Sequence, residues 1–193
     1  FNLAITNGDD RNWIASPFVS RLQRSGLKVE SVVLDERSSE QDVQKAIERG
    51  KSADLVFASL YGRVRSGQAL SVGLPDAGAR ALSALFAAKT PVVGISFGNP
   101  YLLQSFPELR TYMVAYGDMP SLQQAMARAL VGQIDVTGKL PISLPGLYPR
   151  GTGMRSHVWQ AVCSPFRNPL DQRERRMLRV GASRVATIAS RLL

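Results

Sequence analysis

The chain has 193 residues but only one cysteine, Cys163, and one histidine, His157. One cysteine forms no internal disulfide, and it stands beside Ser164 and Pro165 with no base fixed near it in sequence. A Ser/His/Asp triad would have to use His157, in the stretch that looks least ordered. A zinc site needs three or four His, Cys or carboxylate ligands and is not expected with a single His and a single Cys. Long hydrophobic runs are also missing: none approaches the roughly 18 apolar residues of a membrane span. The phosphate-binding glycine patterns fail too. The turn after the first apolar segment is NGDDRN, with one glycine and two acids where a pyrophosphate would demand G-x-G-x-x-G, and there is no P-loop. The chain opens on FNLAITNGDD, with neither Met nor a signal-like segment. This start reads as a cut inside a larger polypeptide, which leaves the compartment unknown.

Acidic residues are scarce in two informative places. The net charge is +9, from 24 Lys and Arg against 15 Asp and Glu. Residues 1–149 carry 15 basic and 13 acidic side chains, a balance of +2, whereas residues 150–193 carry nine arginines against Asp171 and Glu174, a balance of +7. The basicity therefore belongs to the tail, which suits a solvated segment or one docking on an acidic partner. Nucleic acid is not the expected partner. The second scarcity is local: between Asp54 and Asp76 there is no Asp or Glu.

What is present is a regular alternation. NLAIT (2–6), KVESVVLD (28–35), ADLVFASL (53–60), TPVVGISFG (90–98) and TYMVAYG (111–117) predict strands. Helices are predicted over 13–25, 38–49, 76–89 and 122–132, with Gly26 and Gly132 as stops and Ser38 or Ser39 as an N-cap. KLPISLPG (139–146) predicts a short edge strand near 139–145, where prolines are tolerated. Continuous apolar strands alternating with helices imply an α/β fold: a three-layer, doubly wound, mostly parallel sheet of about six strands. The body is expected to end near residue 153. Residues 154–193 form a basic extension with a helix over about 171–192, packing on the body or on a missing neighbour. A membrane-surface helix is the alternative.

Ligands of such sheets sit beyond the carboxyl ends of the strands, where strand order reverses. That rim collects Asn7, Asp9 and Asp10 after the first strand, Tyr61 to Ser66 after the third, Asn99 after the fourth and Asp118 after the fifth. Within LYGRVRSGQALSVGLP (60–75), Arg63 and Arg65 alternate and could face one side, with Ser66 next to them. Guanidinium groups suit the hydroxyl and acetamido oxygens of sugars. They equally suit Asp9, Asp10 or Asp118 across the crevice, and GNPYLL fits plain Asn-Pro turn chemistry.

The blocks TPVVGISFGNPYLL and TYMVAYGDMPSLQQAMARALVGQIDVTGKLPISLPGLYPRGTG, with ITNGDDR and YGRVRSG…SVGLP upstream, closely resemble the carboxyl-terminal α/β-sandwich domain of family 3 glycoside hydrolases. The branch they are most similar to is that of the β-N-acetylglucosaminidases (β-N-acetylhexosaminidases). The resemblance covers residues 1 to about 153; the tail matches nothing in the family. It implies retaining hydrolysis of β-linked N-acetylglucosamine in peptidoglycan or chitin fragments, with no cofactor and no metal. It also implies an amino-terminal TIM barrel of the same polypeptide as partner, bearing the aspartate nucleophile. Retaining hydrolysis needs a nucleophile and an acid/base about 5 Å apart. In the β-glucosidase branch the loop after the third strand of this domain supplies an acid/base glutamate, and the matching segment here has no acid. The glucosaminidase branch places a histidine and an aspartate on a barrel loop instead. By this reading no catalytic residue lies in this chain. Arg63, Arg65, Ser66, Asp9, Asp10 and Asn99 are candidates for contact with carbohydrate or with the barrel. A non-catalytic glycan-binding or barrel-bracing module is the alternative.

Overall fold

The computed structural model describes residues 1–8, 11, 13–62 and 73–156. The predicted helix over 171–192, His157 and Cys163 lie outside the described residues. Five strands form one sheet: β1 (Asn2–Thr6), β2 (Ser31–Leu34), β3 (Val56–Tyr61), β4 (Val92–Ser96) and β5 (Thr111–Val114). Their order is β2-β1-β3-β4-β5 and every pairing is parallel. β1 and β3 are buried along their whole length, as strands covered on both faces must be.

Four α-helices make the outer layers: α1 (Ser16–Arg24), α2 (Glu40–Lys51), α3 (Asp76–Ala87) and α4 (Pro120–Leu130). On one face, Phe18, Val19 and Leu22 of α1 and Met126 and Ala127 of α4 pack on Ala4, Phe57, Tyr61, Val93 and Ile95. On the other, Val43, Ala46 and Ile47 of α2 and Ala81, Leu82 and Leu85 of α3 cover Leu3, Ile5, Ala58 and Leu60. The odd and even residues of each strand thus feed different cores, and a fully buried Leu, Ile or Phe contributes about 1.5–3 kcal/mol. Gly78 lets α3 lie directly on β1, since a Cβ there would stand 2.3 Å from Cγ2 of Ile5.

The α/β class, the parallel sheet and the helices on both faces agree with the sequence reading. The sixth strand does not. Residues 139–145 belong to no strand of the sheet. They lie in an arm that folds on itself, through the antiparallel bridges Val136–Ser156 and Leu144–Tyr148 and the bonds from Leu140 N–H to Thr152 O and Gly151 N–H to Leu140 O, both 2.8 Å. Pro141 and Pro145 have no N–H to give a ladder. The apolar alternation has another use: Leu140, Ile142 and Leu144 pack against the α2/α3 core without joining the sheet. A second difference is the connection between β4 and β5, a 3₁₀ helix (Pro100–Ser105) where the sequence suggests a turn. Among the described residues, no helix is long and apolar enough to cross a membrane.

Candidate functional site

Chain order along the sheet reverses between β1 and β3, so the crevice above their carboxyl ends is where this architecture offers a ligand site. Its floor is built from Thr6, Asn7 and Gly8 on one side and Tyr61 and Gly62 on the other. The hydroxyl Oγ1 of Thr6 accepts the Gly8 N–H at 2.9 Å and turns the chain off the sheet. Asn7 is buried.

Tyr61 closes β3 with its ring inside the α1/α4 core, stacked on Phe97 at 4.8 Å between centroids. Its hydroxyl donates to Oε1 of Gln123 at 3.2 Å, and Nε2 of Gln123 donates to the Asp118 carbonyl at 2.7 Å. Burial, with the charge of Asp118 adding to it, drives the phenol pKa far above the ordinary tyrosine value. Tyr61 therefore stays neutral and braces α4 against β3.

The exits of β3 and β4 are tied together. A Cβ on Gly98 would lie 3.1 Å from the Gly62 carbonyl oxygen, and one on Gly62 would lie 2.9 Å from Cδ1 of Leu102. The loop that starts at Gly62 thus leaves the sheet directly beside the 3₁₀ helix. Asn99 caps that helix: its Oδ1 accepts the Tyr101 N–H at 2.9 Å, while its own carbonyl accepts Oγ of Ser96 at 2.8 Å. The side-chain oxygen of this candidate is therefore engaged in holding the turn. Tyr112 supports the same corner, donating its hydroxyl to the Pro100 carbonyl at 3.3 Å; burial pushes its pKa up to about 12.

Of the residues proposed from sequence, Asn99 follows β4 at the same end of the sheet as Asn7, Tyr61 and Asp118. Asp9, Asp10, Arg63, Arg65 and Ser66 lie outside the described residues. Among the described residues no three metal-ligating side chains gather.

The most elaborate polar cluster of the rim went unnoticed in the sequence. Asp35, one residue past β2, is buried yet charged. Its Oδ1 takes bonds from Nη1 of Arg11 (3.0 Å), the Arg37 N–H (3.0 Å) and Oγ of Ser38 (3.2 Å). Its Oδ2 takes Nε (3.1 Å) and Nη2 (2.8 Å) of Arg37. Desolvation opposes ionisation, but the hydrogen bonds from Arg37 and the charges of both arginines outweigh it and hold the carboxyl below its usual range. The available signal was LDERS: an Asp at a strand end, followed three residues on by a serine whose hydroxyl accepts the Asp35 N–H at 2.9 Å. Arg11, 24 residues away in sequence, left no local trace.

Exposed large apolar side chains also collect towards this end of the sheet. Trp13, before α1, is 77% exposed, Tyr101 40% and Tyr116 49%.

No protein-family model matches the sequence, and no curated protein matches it significantly. Solved structures do. The chain is similar to a glycoside hydrolase family 3 β-N-acetylglucosaminidase from Paenibacillus sp. str. FPU-7, with a TM-score of 0.58 and 21% identity over 79% of this chain and 27% of that one. It is similar, too, to a fungal multi-domain family 3 β-N-acetylglucosaminidase that has a GCN5-related glucosamine N-acetyltransferase region. There the TM-score is 0.59 and the identity 20%, over 79% of this chain and 16% of that one. The chain thus has the fold of one part of these enzymes and spans about a quarter or less of their length.

Proposed function

We propose that this chain is the α/β domain of a family 3 β-N-acetylhexosaminidase-like enzyme. Its parent removes β-linked N-acetylglucosamine from peptidoglycan or chitin fragments by retaining hydrolysis, and the catalytic groups stand on an amino-terminal TIM barrel. The observation that carries this reading is the lack of any Asp or Glu between Asp54 and Asp76, in a chain with the fold of one part of such enzymes. A loop leaving β3 at Gly62 without a carboxylic acid has no group to protonate a glycosidic oxygen. Asp35 is no substitute, because its oxygens are taken up by Arg11, Arg37 and Ser38. In this reading Arg63, Arg65 and Ser66, together with Asp9, Asp10 and Asn99, shape the rim that meets sugar or barrel.

The expected outcome is no turnover of a chromogenic β-N-acetylglucosaminide by the 193-residue chain. Turnover is expected from a longer polypeptide that includes the upstream domain. Hydrolysis by the purified short chain, at a rate proportional to its concentration and absent from a mock preparation, would refute this division of labour.

A further inference from the structure

Three observations converge on one corner of the molecule, outside the crevice between β1 and β3. The first is the tip of the arm. Residues 143–149 line a shallow depression of about 370 Å³, small among ligand sites. The tip is held in shape by a turn in which the Leu144 N–H donates to the Tyr148 carbonyl at 2.8 Å and the Tyr148 N–H returns the bond at 3.0 Å. Gly146, at φ +76°, allows that turn. Oγ of Ser143 accepts the Arg150 N–H at 3.0 Å and closes the base.

The second is the neighbour of the tip. Nε2 of Gln104, in the 3₁₀ helix, donates to the Pro145 carbonyl at 3.1 Å. Side chains three residues apart in a 3₁₀ helix eclipse one another, so Tyr101 shares the face from which Gln104 reaches the arm. Tyr101 and Tyr148, 40% and 45% exposed, thus stand on the two segments that this bond joins, and Leu147 precedes Tyr148 in the tip.

The third is charge. None of the seven residues that line this depression is charged; Arg150 only borders it. A nucleic acid or an acidic peptide would be met by cations. A neutral ligand with apolar C–H faces and many hydroxyls fits tyrosine rings and prolines, because a tyrosine offers a stiff apolar face with a polar edge at small entropic cost.

We infer that Tyr101 and Tyr148 form a stacking platform for a neutral N-acetylglucosamine oligosaccharide, a second contact outside the crevice between β1 and β3. This rests on the proposed function for its choice of sugar. The platform would hold a substrate chain some distance from the bond being cut, so it governs affinity for longer glycans rather than the chemical step.

The test is a calorimetric and NMR titration of the 193-residue chain with chitotriose, using Tyr101→Ala, Tyr148→Ala and their Phe counterparts, each first checked for an unchanged thermal melt. Each alanine variant should raise the Kd about tenfold, the loss expected for one aromatic contact, while each Phe variant binds like the parent. The largest shift changes should fall on residues 101–104 and 143–149. Binding that is saturable but indifferent to both alanine substitutions overturns the platform and leaves the hexosaminidase reading intact. Absence of saturable binding to the unsubstituted chain overturns it too, as does a perturbation of these tyrosines by the upstream barrel domain alone. Only the hydrolysis assay on the longer polypeptide decides the proposed function itself.

Discussion

Asp35 shows how far a single side chain's behaviour depends on its surroundings. A carboxylate shut off from water loses favourable hydration, yet two guanidinium groups, a hydroxyl and a backbone N–H hold it ionised. Its folded-state pKa lies below that of the unfolded chain, so as pH falls the unfolded state takes up the proton first. The stability it contributes is therefore complete above the unfolded value of about 4 and is lost as pH drops through the lower folded value. Asp35→Asn should cost about 2 kcal/mol at neutral pH and should flatten the acid limb of the stability curve. Chemical denaturation of both proteins from pH 7 down to pH 3 checks this; parallel curves for the two would contradict it. LDERS hints at the serine contact, but the two arginines were invisible as partners. Arg11 meets Asp35 only because β1 and β2 are adjacent. Lys89 and Tyr116 make the same point about backbone. Both adopt positive φ, +56° and +57°, where glycine would be expected, and nothing in their identity announces it.

At the level of elements, local chemistry was legible where it is self-contained. Ser39 caps α2 as expected, its hydroxyl accepting the Asp42 N–H at 3.2 Å while Asp42 bonds back to the Ser39 N–H at 3.0 Å. This reciprocal box involves only residues three apart. Ser39→Ala should destabilise the protein by about 1 kcal/mol, and Ser39→Asp should restore most of it, both measured as shifts in the urea midpoint at constant slope. Elements whose identity depends on partners were read less well. The alternation in KLPISLP is real, and Leu140, Ile142 and Leu144 do face the core. Alternation reports only that one side is buried, however, and cannot say whether a strand lies alongside to supply hydrogen bonds. The NPYLL stretch likewise holds the right cap, Asn99, but the helix it starts is kept by Leu102 and Leu103 reaching the α2/α3 core.

For the whole molecule, the decisive feature is that β1 lies between β2 and β3, one strand in from the edge of the sheet. The first strand in sequence thus carries two of the four parallel pairings, and its residues reach both cores through Leu3 and Ile5 on one side and Ala4 on the other. Removing residues 1–6 should abolish cooperative unfolding rather than merely lower Tm, because it splits the sheet and exposes both cores. A sharp, reversible melt from the shortened chain would show that β2 and β3 can pair without it. The same interior placement creates the crevice: with β2 on one side and β3 on the other, the chain leaves β1 and β3 in opposite directions, and a gap opens above their ends.

Taken by itself, the sequence determined the layer class, the approximate place of each strand and α-helix, and the lack of an acid after β3. These follow from hydrophobic period, turn residues and composition, which act over a few neighbouring positions. Tertiary structure alone decided the strand order, the fate of residues 139–145, the binding of Asp35 by Arg11, and the bond from Gln104 to the Pro145 turn. Each of those depends on which distant segments become neighbours once two cores are filled, and no local pattern encodes that choice.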